Sequence, residues 1–167
     1  NEQKFEVKDE FVLPGDVEVT RVLPHAHYLC RRMEGYAILP DGSKKWLLLI
    51  KNWDFNWQGD YQYQNSIFLP KGTKIMMNFT FDNTTNNIAN PNSPPARVIY
   101  GPQSSDEMAE LWFQLVLKNP GDRPLFDKVS REKAKATLLE FGRLSFVIDS
   151  KNPDLLIMAA QARLAEQ

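Results

Sequence analysis

The chain has 167 residues, 43% of them apolar, and a formal net charge of −1, which is room for one sizeable core and a small appendage. So even a charge balance gives no electrostatic basis for gripping nucleic acid or an anionic membrane. No apolar run approaches the about 18 residues a membrane-spanning helix needs. The opening at Asn1, with no initiator Met and no signal peptide, reads as a mature form or an excised piece.

The first 118 residues read as β. Short runs rich in aliphatic and aromatic residues, separated by turn signals, predict strands over Phe5–Lys8, Val17–Leu23, Gly35–Leu39, Trp46–Ile50, Tyr61–Gln64 and Lys74–Phe81. Pro40-Asp41-Gly42-Ser43 predicts a hairpin turn: proline presets φ, aspartate bonds its own backbone and glycine takes positive φ. Pro70-Lys71-Gly72 does the same before Lys74. In Lys74–Phe81 the residues Ile75, Met77, Phe79 and Phe81 share one parity, which marks a half-buried strand. Asp82–Pro95, rich in Asn and Pro, cannot be a central strand and is expected as a long surface loop. Many short strands at this spacing suggest a sandwich or jelly roll.

The texture changes at Asn119-Pro120-Gly121-Asp122-Arg123-Pro124, so the expected domains are 1–118, a β-sandwich, and 119–167, a linker and helical tail. Ser130 is expected to cap a helix through Ser130-Arg131-Glu132-Lys133. Leu138, Leu139, Phe141, Leu144, Phe146, Val147 and Ile148 give it an apolar face. Asp149–Asp154 breaks it, and Leu155–Leu164 forms a second helix. The pair reads either as a helical hairpin packed on the sandwich or as the opening of a tetratricopeptide-like array.

The only two histidines, His25 and His27, stand one residue apart in Leu23-Pro24-His25-Ala26-His27-Tyr28-Leu29. On a strand, positions i and i+2 share a face about 7 Å apart, so two imidazoles can converge on one metal ion. Zinc usually asks for a further His, a Cys or a carboxylate. The lone cysteine, Cys30, is an odd number of residues from both histidines and faces away, as a small buried hydrophobe. Of the five methionines, Met33, Met76, Met77 and Met158 read as packing residues. Met108 stands apart, between the polar run Gln103-Ser104-Ser105-Asp106-Glu107 and the apolar stretch Leu111–Leu117. A thioether beside two imidazoles selects copper, above all copper(I). Asp106 and Glu107 read as turn and strand-start residues. Tyr28, Trp53 and Trp57 read as core aromatics, with a substrate platform as the alternative.

His25-Ala-His27, Gly35-Tyr36, Leu69-Pro70-Lys71-Gly72, Phe81-Asp82-Asn83 and Ser104-Ser105-Asp106-Glu107-Met108, in that order, resemble the C-terminal domain of the type II, ascorbate-dependent copper monooxygenases. Peptidylglycine α-hydroxylating monooxygenase and dopamine β-monooxygenase belong to that family. The likeness runs from about Asp9 to Lys118, roughly two thirds of the chain. Trp53-Asp54-Phe55-Asn56-Trp57-Gln58 and Asn90-Pro91-Asn92-Ser93-Pro94-Pro95 are more similar to the bacterial branch. The resemblance implies a mainly β fold, an eight-stranded jelly-roll β-sandwich, here followed by the short C-terminal helical hairpin. It implies one copper held by His25, His27 and Met108, where dioxygen is activated, with ascorbate or another external reductant. It also implies an exported, periplasmic or extracellular location. The Asp82–Pro95 loop would then lead back toward Ser104–Met108 and wall the open face of the copper.

The resemblance has gaps. The family's second, electron-supplying copper sits on three histidines of a preceding domain, and this chain has two histidines in all. An upstream domain or a redox partner is therefore expected to supply electrons. The substrate-gripping Arg, Asn and Tyr of the peptide-amidating member are Leu23, Glu110 and Trp112 here, which argues against a peptidyl-glycine. A family cysteine is Ala109, so its disulfide is missing. The expected function is an oxygen-activating copper domain acting on an unidentified small organic substrate. The alternative is a non-catalytic copper-binding or electron-transfer module. Neither nucleic acid nor membrane is an expected partner.

Overall fold

The structure, a computed structural model, describes residues 2–142 and 153–165. The chain divides into two compact units, Asn1–Pro120 and Gly121–Gln167. The first is built from seven strands: β1 (Phe5–Val12), β2 (Val17–Ala26), β3 (Cys30–Ile38), β4 (Lys44–Ile50), β5 (Tyr61–Leu69), β6 (Lys74–Phe81) and β7 (Ala109–Leu117). Two antiparallel sheets result, one ordered β1-β6-β3-β4 and the other β5-β2-β7. The fold is mainly β. The resemblance implies eight strands; seven form among the described residues.

The two sheets meet through one apolar core. Ala26 of β2 packs with Cys30 and Met33 of β3, Phe79 and Phe81 of β6, and Leu29 and Trp53, while Ala109 and Leu111 of β7 close over them. Phe79 and Met33 are fully enclosed, so each contributes about the full transfer energy of a large side chain, roughly 2–3 kcal/mol. Gly35 of β3 faces Leu111 and Phe113 of β7 across the core. A methyl group there would stand 2.8 Å from Leu111 Cδ2 and 3.6 Å from Phe113 Cζ.

Both expected turns form. Gly42 and Gly72 each sit at φ 83°, the left-handed region that favours glycine. The Ser43 N–H donates to Asp41 Oδ1 at 2.8 Å. Strand β6 has the expected bounds and parity. Several other strands outrun their apolar signal. β3 begins at Cys30 rather than Gly35, because Arg32 and Glu34 pair on its outer face while Met33 points inward. β5 continues through Gln64, Asn65 and Ser66 to Leu69, an edge strand with little to bury.

One irregularity in β2 decides which way its histidine faces. Val17 and Val19 are buried, but so are Val22, Pro24 and Ala26, so the buried parity switches within one strand. Against β7 the partner moves only from Leu115 to Gln114 between Val19 and Arg21, a β-bulge that absorbs Thr20, whereas against β5 it jumps from Ile67 to Gln62, so there the extra residues lie in β5. The Thr20 hydroxyl donates to Gln114 Oε1 at 2.8 Å. Without the bulge, the parity of Val17 and Val19 would send His25 into the core. With it, Arg21, Leu23 and His25 share the outer face. Pro24 is tolerated because β2 is paired only with β7 beyond Val22.

In the second unit, α1 (Arg123–Gly142) and α2 (Pro153–Ala165) pack on one another. Ser130 does not cap α1; it lies inside the helix, which already starts at Arg123. Pro124 explains the earlier start, since a proline in the first turn loses no helical hydrogen bond. Leu144, Phe146, Val147, Ile148 and most of the expected break at Asp149–Asp154 lie outside the described residues. Among the described residues no helix is long and apolar enough to cross a membrane.

Candidate metal centre

The three expected ligands come together although they are distant in sequence. β2 ends at Ala26, paired with Ala109, the first residue of β7. His27 and Met108 therefore each stand one residue past the end of the same ladder, and His25, paired with Glu110, stands one residue inside it. His25 Nε2 lies 2.9 Å from Met108 Sδ. The two imidazole rings have centroids 5.1 Å apart and are nearly perpendicular. His25 is half-buried, whereas His27 is only 3% exposed.

The far nitrogen of each ring is tied down. His25 Nδ1 is 2.7 Å from Gln58 Oε1, an oxygen that only accepts, so Nδ1 carries the hydrogen. His27 Nδ1 is 3.1 Å from the Asp106 carbonyl oxygen, with the same consequence. In the neutral rings both Nε2 atoms are then unprotonated. For His25 this leaves a nitrogen lone pair facing a thioether sulfur at hydrogen-bond distance with no proton between them. Two lone-pair donors so placed are set to share one cation. Burial, with help from the neighbouring His25 charge and against the pull of the Asp106 carbonyl, holds His27 below the usual histidine value. Neutral imidazole is the form that binds metal, and a fixed second ring nitrogen is the usual companion of a ligating histidine.

The donor set thus fits copper: two imidazole nitrogens and one thioether, without a thiolate or carboxylate among them. Among the described residues no cluster of three or more His, Cys, Asp or Glu side chains is arranged to hold a metal ion. Cys30 is buried in the core, and burial pushes its thiol far up, so it is inert packing.

Glu107 has more to do than start a strand. Its carboxylate accepts the backbone N–H of His27 at 2.7 Å, of Leu29 at 3.0 Å and of Met108 at 2.9 Å. Burial pushes this carboxyl up to about 7, against those N–H groups, which favour the anion. Asp106 does sit in a turn, its N–H donating to the Gln103 carbonyl at 2.8 Å. Its side chain fills the space beside Gly101, where any Cβ would collide with it.

The aromatic residues separate. Trp53 is core, 7% exposed, while Trp57 is largely exposed. Tyr28 packs on Phe55 at 4.8 Å, and Phe55 in turn stands edge-on to His27 at 6.1 Å. Phe55 and Gln58 come from the 3-10 turn Phe55–Trp57 and its C-cap, whose start is fixed by Asp54 accepting the Asn56 N–H. Sequence reasoning did not single out either residue, although both belong to the run that carried the bacterial-branch likeness. The loop after β6 reaches the His27 turn through Asn87, whose side-chain amide donates to the Tyr28 carbonyl at 3.3 Å.

Along the same outer face, next to His25, Leu23 pairs with Trp112 and Arg21 with Gln114. These residues, with Asp60 and Phe113, line an open cavity of about 360 Å³. Arg21 and Asp60 form an ion pair at its far end, 2.6 Å apart. Leu23 and Trp112 are 39% and 62% exposed and give that cavity an apolar floor. No protein-family model and no curated protein matches the chain.

Proposed function

We propose that this chain is the oxygen-activating copper domain of an ascorbate-dependent monooxygenase-like protein. His25, His27 and Met108 would hold one copper ion, with the second, electron-supplying site lying outside this chain. The observation that carries the reading is the 2.9 Å approach of His25 Nε2 to Met108 Sδ, with the far nitrogens of both rings fixed by acceptors. Copper bound there would supply one-electron chemistry toward dioxygen, with ascorbate or a partner protein as the source of electrons.

The chain's own contribution is positional. Gln58 and the Asp106 carbonyl orient the two rings, and Phe55 covers one flank of His27. Leu23 and Trp112 offer an apolar shelf beside His25, and the Arg21–Asp60 pair offers a polar stop. That shelf suits a small organic molecule with an apolar body. It lacks the cationic grip for a peptide carboxylate near the ligands, since Leu23 and Glu110 stand there. A substrate carbon held next to the metal gains from orientation what a freely diffusing one forfeits.

The deciding experiment is anaerobic copper(I) titration of the metal-free chain against a chromophoric chelator, followed by X-ray absorption. One equivalent, with a nitrogen shell and one sulfur, is expected. The double variant His25→Ala/His27→Ala should lose binding, and undiminished affinity there would remove the site. Oxygen uptake with ascorbate separates catalysis from storage. Slow uptake yielding peroxide is expected without the partner, and no uptake would favour a copper-binding or electron-transfer module.

A further inference from the structure

The two halves of the site come from segments about 80 residues apart, and the β2–β7 ladder stops just short of both His27 and Met108. Its last pair is Ala26 with Ala109. Past that point the backbone N–H groups of His27, Leu29 and Met108 have no strand partner opposite them. All three end on one carboxylate. Glu107 Oε1 accepts from His27 at 2.7 Å and from Met108 at 2.9 Å, and Oε2 accepts from Leu29 at 3.0 Å.

The base of that side chain is fixed as well. The Glu107 N–H donates to the Ile99 carbonyl at 3.0 Å, and its carbonyl accepts from Gly101 at 3.4 Å. Tyr100 and Glu107 form an isolated parallel bridge. Glu107 is thus anchored to the 99–101 segment through its backbone and to the His27 turn through its side chain.

We propose that Glu107 is the positioning residue of the metal centre: its carboxylate replaces the missing ladder and sets the distance between the histidine turn and Met108. This rests on the reading of His25, His27 and Met108 as ligands. The chemistry is specific to a carboxylate. Glutamine has the same length but one accepting oxygen and an NH2 group that would face backbone N–H donors. Aspartate keeps the charge and both acceptors but loses one methylene of reach.

Two readouts test it. In the metal-free chain, proton NMR should show a nuclear Overhauser contact between the Met108 methyl group and the His25 ring, and Glu107→Gln should abolish it while circular dichroism stays that of the folded protein. In the copper(I)-loaded chain, Glu107→Gln should lose the sulfur shell in X-ray absorption and about 10- to 100-fold in affinity, the range expected when a ligand's outer support is removed. Glu107→Asp should restore part of each. A folded Glu107→Gln chain with the methyl–ring contact and sulfur shell intact would overturn the proposal. Should Glu107→Gln fail to fold, the Glu107→Asp chain decides: a shortened reach that leaves contact and sulfur shell unchanged overturns it equally. Failure of the wild-type chain to bind copper would defeat the ligand reading alone, because the metal-free contact still reports on Glu107.

Discussion

Replacing Gly101 with alanine tests how far the proposed metal centre depends on its surroundings. The added methyl group would stand 2.7 Å from Asp106 Cγ and 3.1 Å from its Cβ, and closer still to Oδ2. Asp106 cannot swing away freely. Its N–H is held by Gln103, its Oδ2 accepts the Gln103 N–H at 3.2 Å, and its carbonyl holds His27 Nδ1 at 3.1 Å. Overpacking of this kind costs about 1–3 kcal/mol, so the melting temperature should fall by roughly 4–10 °C. Because the displaced residue fixes the His27 ring, copper(I) affinity should also fall about 10-fold or more. Gly42→Ala is the control: Gly42 is at φ 83° with nothing near a Cβ, so that variant should lose stability and keep its affinity. Differential scanning calorimetry and chelator competition on both variants give the answer. A Gly101→Ala chain with lowered stability and wild-type affinity would refute the link from Asp106 to the ligand.

The remaining expectations concern the scaffold. Gly35→Ala should cost about 1–3 kcal/mol in urea unfolding, since the new methyl group meets Leu111, and should leave copper affinity alone. Tyr63, whose hydroxyl donates to the Leu47 carbonyl, is pushed up to about 12 by burial. The folded state then keeps a proton that the unfolded state loses near 10, so stability should fall between pH 10 and 12, and Tyr63→Phe should flatten that fall. A chain ending after Pro120 should give the β spectrum by circular dichroism and bind copper; an unfolded product would join the two units into one.

Legibility from sequence depends on whether the signal is local. Turn chemistry at Pro40–Ser43 and Pro70–Gly72 and the parity of Lys74–Phe81 are properties of adjacent residues, and they read correctly. The start of β3 does not, because Arg31, Arg32 and Glu34 mask the inward Cys30 and Met33. Nor does the helix start, where Ser130 offers a familiar cap and the proline at 124 carries the true signal. At the site, motif order alone suggests the pairing of His25 with Met108. The roles of Glu107, Gln58 and Phe55 are invisible in sequence because each works through contacts between distant segments. Composition near position 107 says only that a polar turn precedes a strand.

The extra residue in β2 gives the chain an unequal tolerance to losing length. Alternation is restored, not broken, by removing Thr20: Val19 stays inward, Arg21 stays outward, and His25 keeps its face beside Met108. A single-codon deletion in the middle of a central strand should therefore yield a folded, copper-binding product. The same deletion at Leu23 hands His25 to the opposite face, or drags the valines with it, and should abolish binding. Two lesions of identical size, three positions apart, thus have opposite fates, and a gap near this strand means little until its position relative to Thr20 is known.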